Sequence, residues 1–329
     1  MSLATQANRL KVAGLEDFWA RRTGRIPLGP LLMADRLLLD ALGLGLEQAL
    51  SYFRESGPDF AAFEDWVIAA IGTPDPVRLA RYHAWREGVA APEEVQRQLD
   101  AIDAMPPVLD AEDLAHWDAQ GYVILRGAIS AEQARATEAL LWHVIGASAD
   151  DPESWYGLST QGIMVQHFQD PALDAARYAP RVHKAYAQLW GTADLWSRVD
   201  RMSFNPPETR SRFFPGPRLH WDSSLALPIP FETAGILYLT DTAADQGALQ
   251  LVPGFHRRVE SWLAALGDAD PRQVDLSAEA VTIAANAGDL IIWRQELPHG
   301  ASPNRAERPR LAQYVTLYSA DLVEHPDWR

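Results

Sequence analysis

Apolar residues recur at helical spacing through the first third of the chain and at the shorter spacing of strands in its last part. Residues 1–104 carry apolar positions three and four apart, punctuated by Gly43, Gly45 and several prolines, which predicts a series of helices. Helical periodicity returns three times further on, and two of these segments open with capping signals at Asp110 and Ser130. These later helices are expected at residues 109–119, 130–144 and 180–189.

Short extended segments dominate from residue 195 onward, after an earlier strand expected at 121–126. Turn signals such as Asn205-Pro206-Pro207 and Pro253-Gly254 separate them. The expected strands lie near residues 196–205, 217–223, 233–240, 247–252, 279–284, 288–293, 297–300 and 309–319. Short strands in this number fit a double-stranded β-helix, the jelly-roll or cupin-like barrel, with helices packed on one face. The sequence therefore predicts an α+β fold.

A domain boundary is expected at Met105-Pro106-Pro107, where the helical pattern of the first third ends. Residues 1–104 would form an N-terminal helical region of unknown role. Residues 105–329 would form the barrel domain that carries the chemistry.

Composition narrows the classes of function. The chain has 329 residues, 47% hydrophobic and 22% charged, with a net charge of −15, so a nucleic-acid partner is not expected. Cysteine is absent, which excludes disulfides, thiolate-bound zinc and cysteine nucleophiles. No apolar run is long enough for a membrane span and no signal peptide is recognised, so a cytoplasmic protein without a membrane partner is expected. The oligomeric state is left open.

Two histidines and one aspartate form a candidate metal site. His220 and Asp222 are two residues apart in an extended segment, where such side chains share a face, and His299 follows a later strand. Nine histidines and 44 acidic residues give about one His-x-acid pair by chance, and the sequence holds three. Only His220 and Asp222 lie among strands with a later histidine. Two imidazoles and one carboxylate on one face of an ion are typical of non-haem Fe(II) oxygenases. The alternative is a surface histidine beside a solvated aspartate.

From about Leu109 to Ser319 the chain resembles the phytanoyl-CoA dioxygenase family of Fe(II)/2-oxoglutarate oxygenases. Six pieces in the right order carry the resemblance: residues 118–127, 200–207, 220–222, 247–256 and 288–293, and His299 followed by Arg310. The resemblance implies Fe(II), 2-oxoglutarate as co-substrate, and O2. It also implies that His220, Asp222 and His299 are the metal ligands and catalytic centre.

The far carboxylate of 2-oxoglutarate needs a cation, and the resemblance places Arg310 there, 11 residues after His299. Arg305 and Arg308 compete for this role, but Arg308 precedes a proline and is expected in the turn. The family often has a serine two residues after the distal histidine, where this chain has Ala301 and then Ser302. Further co-substrate candidates, which could equally be core or strand-edge residues, are Arg201, Asn205 and Tyr238.

Asp222 favours oxygen transfer to carbon, because related halogenases replace this carboxylate with a small residue. Two aromatic loops are candidate walls for a small or medium organic substrate, with an anionic group facing Arg210 or Arg212. Their candidate residues are Trp155, Tyr156, Met164, His167, Arg210, Arg212 and Phe213. Two alternatives stay open: a metal-binding cupin-type protein, such as an isomerase or sensor, without oxygenase activity, and a binding or assembly role centred on residues 1–104.

Overall fold

The structure is a computed structural model that describes residues 9–29, 31–158, 160–214, 219–323, 325 and 327–329. The chain divides into two compact units, one of residues 1–104 with 198–200, and one of residues 105–197 with 201–329. No helix in the described ranges has the length and apolar character needed to cross a membrane.

The first unit is helical, as the sequence predicts. Its helices are α1 (Leu15–Arg22), α2 (Met33–Leu42), α3 (Leu46–Ser56), α4 (Phe60–Ile71), α5 (Pro76–Glu87) and α6 (Glu93–Asp103). The expected break in the leucine-rich segment is confirmed, since α2 ends at Gly43 with a φ of 85°, which favours glycine. Residues 198–200 join this unit, and the Val199 N–H donates to the buried Asp40 carboxylate at 2.8 Å.

The second unit contains the remaining helices and all the strands of the described residues. The helices are α7 (Ala111–Gln120), α8 (Ala131–Ile145), α9 (Pro171–Arg177), α10 (Pro180–Trp190) and α11 (Val259–Leu266). The caps predicted at Asp110 and Ser130 are confirmed, because each side chain accepts a hydrogen bond from the backbone N–H three residues later. Helices α9 and α11 were not anticipated.

Two antiparallel sheets organise this unit. The strands are β1 (Tyr122–Leu125), β2 (Met164–Val165), β3 (Leu195–Ser197), β4 (Met202–Asn205), β5 (Thr233–Tyr238), β6 (Leu249–Leu251), β7 (Val281–Ile283), β8 (Leu290–Arg294), β9 (His299–Ala301), β10 (Arg310–Tyr314) and β11 (Leu317–Ser319). A six-stranded sheet has the order β1-β8-β5-β10-β4-β2, a three-stranded sheet has the order β7-β6-β9, and β11 pairs with β3. The predicted α+β class with antiparallel sheets is confirmed.

Three predicted strands differ from the structure. The segment 196–205 is interrupted because residues 198–200 belong to the helical unit. The segment 309–319 is interrupted at Thr316, whose hydroxyl accepts the Gly235 N–H where a regular strand would offer a carbonyl. In 217–223, residues 217 and 218 lie outside the described residues, and only His220 forms a bridge, to His299.

Each face of the six-stranded sheet contributes to a different apolar cluster. Ile236, Tyr238 and Ile291 pack in one cluster with Leu249 and Leu251 of the three-stranded sheet. The residues that alternate with them, such as Leu237, Leu290 and Ile292, pack with side chains of α8 and α10. The first of these faces also carries Arg310 and Asn205, since Arg310 has the same strand parity as Ala312 and lies opposite Asn205.

Candidate metal centre

Backbone pairing brings the three predicted ligands together. The N–H of His220 donates to the carbonyl of His299 at 2.9 Å, and the N–H of His299 donates back at 3.0 Å. This bridge extends the three-stranded sheet beyond β9, and it places the two imidazole centroids 4.8 Å apart. Asp222 follows two residues after His220, so its carboxylate returns to the same side.

The distances between the ligand atoms fit a single ion. Asp222 Oδ1 lies 3.3 Å from His220 Nε2, and Asp222 Oδ2 lies 3.2 Å from His299 Nε2. All three residues offer a ligand atom within 4.8 Å of the others. Two ligands at right angles, each about 2.1 Å from a metal, lie about 3 Å apart. Two nitrogens and one carboxylate oxygen are the donor set of a facial Fe(II) site.

A backbone contact fixes which nitrogen of His299 faces the site. Nδ1 lies 3.0 Å from the Leu297 carbonyl oxygen, and because a carbonyl can only accept, Nδ1 carries the proton. In the neutral ring this leaves the Nε2 lone pair for a metal. The His299 side chain is only 5% exposed, so its orientation is held by packing as well.

The two imidazoles favour the ionised form of Asp222. Burial acts to raise its pKa, but the hydrogen bonds that His220 and His299 donate when their Nε2 atoms carry a proton outweigh this effect, and the pKa lies well below the ordinary range of an aspartate. An ion bound by the Nε2 lone pairs would take the place of these protons as the positive partner of the carboxylate.

Arg310, the residue predicted to bind the far carboxylate of the co-substrate, is a buried guanidinium with an open donor. Arg310 is 1% exposed, and its Nε donates to the Gly247 carbonyl at 3.1 Å. Its Nη1 is buried and has no hydrogen-bond partner among the residues that the structure describes. A buried donor of this kind is costly unless a ligand satisfies it. A carboxylate fits this position. Arg305 and Arg308, the competitors, are exposed.

Asn205 and Ser302 belong to the same buried group. The Asn205 amide donates to the carbonyls of Ser302 at 3.1 Å and Gly247 at 3.4 Å, so Asn205 and Arg310 share one acceptor. Gly247 has a φ of 64°, and a Cβ there would collide with Asn205, which explains the glycine. The Ser302 hydroxyl is buried, and within the described ranges nothing hydrogen bonds to it. It is a second open polar group near Arg310.

The other predicted co-substrate residues occupy different settings. Tyr238 is fully buried, and its hydroxyl accepts the Leu249 N–H at 2.8 Å and donates to the Ile283 carbonyl at 3.1 Å. Burial raises its pKa to about 12, against a smaller opposing effect of Arg310. Its hydroxyl is thus engaged with the backbone. Arg201 precedes β4 and donates to the Gln166 amide oxygen at 3.2 Å.

The two predicted substrate loops meet at a small pocket that opens to solvent. Its lining residues are Gly162, Ile163, Asn205, Pro206, Pro207, Glu208, Arg212, Phe213 and Phe214. Arg212 and Phe213 were predicted as substrate residues, and the Arg212 guanidinium lies 5.6 Å from the ring centroid of Tyr156. Met164 pairs with Ser203 on the sheet face that carries Tyr238 and Ala312. Asn205 lines this pocket and also donates to the Gly247 carbonyl that Arg310 contacts, so the pocket lies beside Arg310.

Five of the seven predicted substrate residues do not line this pocket, Tyr156 and Met164 among them. Trp155 is 4% exposed, belongs to the core, and donates its indole N–H to the Ser148 carbonyl at 2.7 Å. His167 is half-buried, and burial lowers its pKa. Arg210 is exposed to solvent. The aromatic pattern of this segment therefore reflects core packing at Trp155.

Sequence reasoning missed the backbone groups of the site. The Leu297 carbonyl orients His299, and the Gly247 carbonyl holds both Arg310 and Asn205. A backbone carbonyl is present at every residue, so the sequence cannot show which carbonyls contribute to a site. The glycine at position 247 is the one available indication, because a glycine in a strand region often marks the close approach of another group to the backbone. Glu208 of the pocket was also not singled out.

Known proteins resemble this chain along the region that contains the site. A putative phytanoyl-CoA dioxygenase of Dictyostelium discoideum is 20% identical over 258 residues, covering 62% of this chain and 74% of the relative. The ectoine dioxygenase of Bordetella parapertussis is 23% identical over 253 residues, covering 66% and 78%. The crystal structure of EvdO2 from Micromonospora carbonacea var. aurantiaca complexed with 2-oxoglutarate is 17% identical, with a TM-score of 0.48 over 68% of this chain and 96% of the other.

The family model described as Phytanoyl-CoA dioxygenase (PhyH) matches residues 85–312. The match begins earlier than the resemblance drawn from the motifs, since it includes α6 in the helical unit. It also contains the His220, Asp222, His299 cluster and Arg310. This chain therefore belongs to the phytanoyl-CoA dioxygenase family of Fe(II)- and 2-oxoglutarate-dependent oxygenases.

Proposed function

We propose that this protein is a dioxygenase that hydroxylates an unactivated C–H bond of a small or medium organic substrate. The reaction is coupled to conversion of 2-oxoglutarate into succinate and CO2. The observation that carries the proposal is the pairing of a three-ligand cluster with a buried guanidinium whose Nη1 is open. A metal-binding isomerase or sensor has no need of that guanidinium.

The protein's own residues hold and orient the reactants. His220, Asp222 and His299 bind the ferrous ion on one face, and Arg310 binds the far carboxylate of 2-oxoglutarate, with Ser302 as a further donor. The family often has a serine two residues after the distal histidine, but this chain has Ala301 there. The hydroxyl would come from the next residue, Ser302, instead. An iron ion held by these three ligands would supply the oxidising power for the reaction of 2-oxoglutarate and O2 with the substrate C–H bond. Trp293 lies 5.1 Å from the His299 ring and helps to bury that imidazole.

We also propose that the six-stranded and three-stranded sheets are the two sides of a double-stranded β-helix, extended by β1 and β2. Side chains from both sheets pack in one cluster, and the metal ligands lie at the edge of the smaller sheet. In this arrangement residues 105–329 are the dioxygenase domain. The catalytic group then lies where the barrel opens.

Iron-dependent turnover of 2-oxoglutarate tests the function. Succinate should form only with Fe(II), 2-oxoglutarate and O2, and His220→Ala or Asp222→Ala should reduce its rate at least about 100-fold, since each removes a metal ligand. His116→Ala is the matched control, because the tripeptide His116-Trp117-Asp118 is identical but lies on helix α7. Metal binding without any consumption of 2-oxoglutarate would instead support the metal-binding alternative.

The pocket beside Asn205 favours a substrate with both an apolar part and an anionic group. Phe213 and Phe214 offer apolar surface in the pocket, and Arg212 offers a positive charge. Arg210 does not line the pocket. A panel of small carboxylates, phosphate esters and neutral analogues can be screened for stimulation of succinate formation. Arg212→Ala should weaken stimulation by anionic compounds, whereas Arg210→Ala should not. Equal stimulation in both variants would exclude Arg212 from substrate recognition.

A further inference from the structure

Arg272 holds the backbone on both sides of the carboxylate ligand, although it is distant in sequence. It lies in a short 3-10 helix, Pro271–Gln273, that Asp270 caps. Its Nη1 donates to the Trp221 carbonyl and its Nη2 to the Ser223 carbonyl, both at 2.8 Å. These two carbonyls flank Asp222. One planar guanidinium thus spans the peptide segment that carries the ligand.

Asp222 needs such support because its own side chain is loosely packed. The side chain is 57% exposed, so apart from the two imidazoles that contact the carboxylate, packing restricts it little. Its direction depends on where the backbone of residues 221–223 lies. On one side Trp221 is 4% exposed, and its indole N–H donates to the Glu296 carbonyl at 2.9 Å. On the other side Arg272 supplies the restraint.

The same guanidinium also binds a third carbonyl, from the segment 327–329. Its Nη2 donates to the Arg329 oxygen at 3.1 Å, and its centre lies 4.7 Å from the Trp328 ring. This segment is tied to the residues after Asp222, because the Ser224 hydroxyl donates to the Asp327 carbonyl at 2.7 Å. The Leu225 N–H donates to the Arg329 oxygen at 3.1 Å. Arg272 therefore connects three backbone segments at one point.

We propose that Arg272 is a positioning residue that sets the metal affinity of the centre by fixing the backbone around Asp222, with Trp328 as its stacking support. The inference rests on the proposed function, since it takes His220, Asp222 and His299 as metal ligands. Arginine is required because its fork reaches three carbonyls at once, whereas a lysine amine on a flexible stem cannot hold the same geometry.

Binding of Mn(II), a redox-stable probe for the Fe(II) site, tests the proposal without turnover. Calorimetric titration, with free Mn(II) counted by electron paramagnetic resonance, should show about 10-fold or more weaker binding in Arg272→Gln. Arg272→Lys keeps the charge without the fork and should bind as weakly as the glutamine variant. Full recovery in Arg272→Lys would overturn the proposal, because charge alone would then suffice.

Arg258→Gln is the matched control. Arg258 also stacks on an aromatic ring, that of Phe255 at 4.7 Å, and forms an ion pair with Glu279. No contact with residues 220–224 is seen for it in the described part of the chain, so its Mn(II) affinity should equal that of the native protein. If Arg272→Gln does not fold, Trp328→Ala provides the test instead. Trp328 is 68% exposed, so its replacement should leave the fold intact. That variant should bind Mn(II) measurably more weakly, and native affinity would refute the proposal.

A third variant, His220→Ala, distinguishes an error in the proposed metal site from an error in the role of Arg272. His220→Ala should abolish tight Mn(II) binding. If His220→Ala binds Mn(II) as the native protein does, the proposed metal site is wrong. If His220→Ala loses binding but both Arg272 variants retain it, the site stands and the role of Arg272 is refuted.

Discussion

Arg310 is the residue at which sequence and structure agree most closely. Its spacing from His299 and its parity with Ala312 predict a side chain on the face that carries the site, and β10 pairs Arg310 with Asn205 on that face. Its burial and open Nη1 could not be predicted, because they depend on the Gly247 carbonyl accepting from the Nε of Arg310 and leaving Nη1 without a partner among the described residues. Trp155 shows the opposite case, since aromatic character alone does not distinguish a pocket wall from core.

Arg310→Met should raise the KM for 2-oxoglutarate about 10- to 100-fold, because a hydrogen bond to a charged group contributes about 1.5–3 kcal/mol. Steady-state succinate formation at varied 2-oxoglutarate measures this. Arg308→Met is the control, since Arg308 is exposed in the turn before β10, and its KM should be unchanged. An unchanged KM in Arg310→Met would remove Arg310 from the co-substrate site.

At the scale of elements, strand positions were predictable and strand partners were not. Short apolar runs between turn signals located β5, β8 and β10, which are buried on both faces, but no local pattern tells that β5 lies between β8 and β10. The role of Tyr238 follows from these partners. Its hydroxyl connects β5 to β6 and β7, through the Leu249 N–H and the Ile283 carbonyl. Tyr238 therefore stabilises the contact between the two sheets.

Tyr238→Phe should lower the free energy of unfolding by about 1–3 kcal/mol, because two buried backbone groups lose a partner. Its KM for 2-oxoglutarate should stay within about twofold of native. Tyr122→Phe is the control, since Tyr122 is half-buried on the same sheet and no hydrogen bond to its hydroxyl is seen in the described residues. A large rise in KM with little loss of stability would place Tyr238 in the co-substrate pocket instead.

The same residue gives a pH dependence. Burial raises the pKa of Tyr238 to about 12, while an unfolded tyrosine ionises near about 10. The folded state therefore favours the neutral phenol, and its contribution is complete below about pH 10 and is lost as the pH rises to about 12, by roughly 2–3 kcal/mol. Chemical denaturation over this range should show a steeper loss in the native protein than in Tyr238→Phe. Parallel losses would contradict the assignment.

At the scale of the whole molecule, ordered motifs identified the family, and the fold explains why they are so far apart. His220 and His299 meet because His220 forms a backbone bridge to His299 of β9, so the distance along the chain between them carries no structural meaning. The N-terminal region was less predictable. The family match begins at residue 85, and residues 198–200 complete the helical unit through Asp40 and Val199. Neither feature has a signature in composition or periodicity.

An anaerobic crystal structure with Fe(II) and 2-oxoglutarate would show the metal ligands and the co-substrate contacts together. We expect one ion bound by His220 Nε2, an Asp222 oxygen and His299 Nε2, each at about 2.0–2.2 Å. We also expect the far carboxylate of the co-substrate to bind Arg310 Nη1. An ion bound elsewhere, or a 2-oxoglutarate whose far carboxylate leaves Arg310 Nη1 without a partner, would contradict the proposed site.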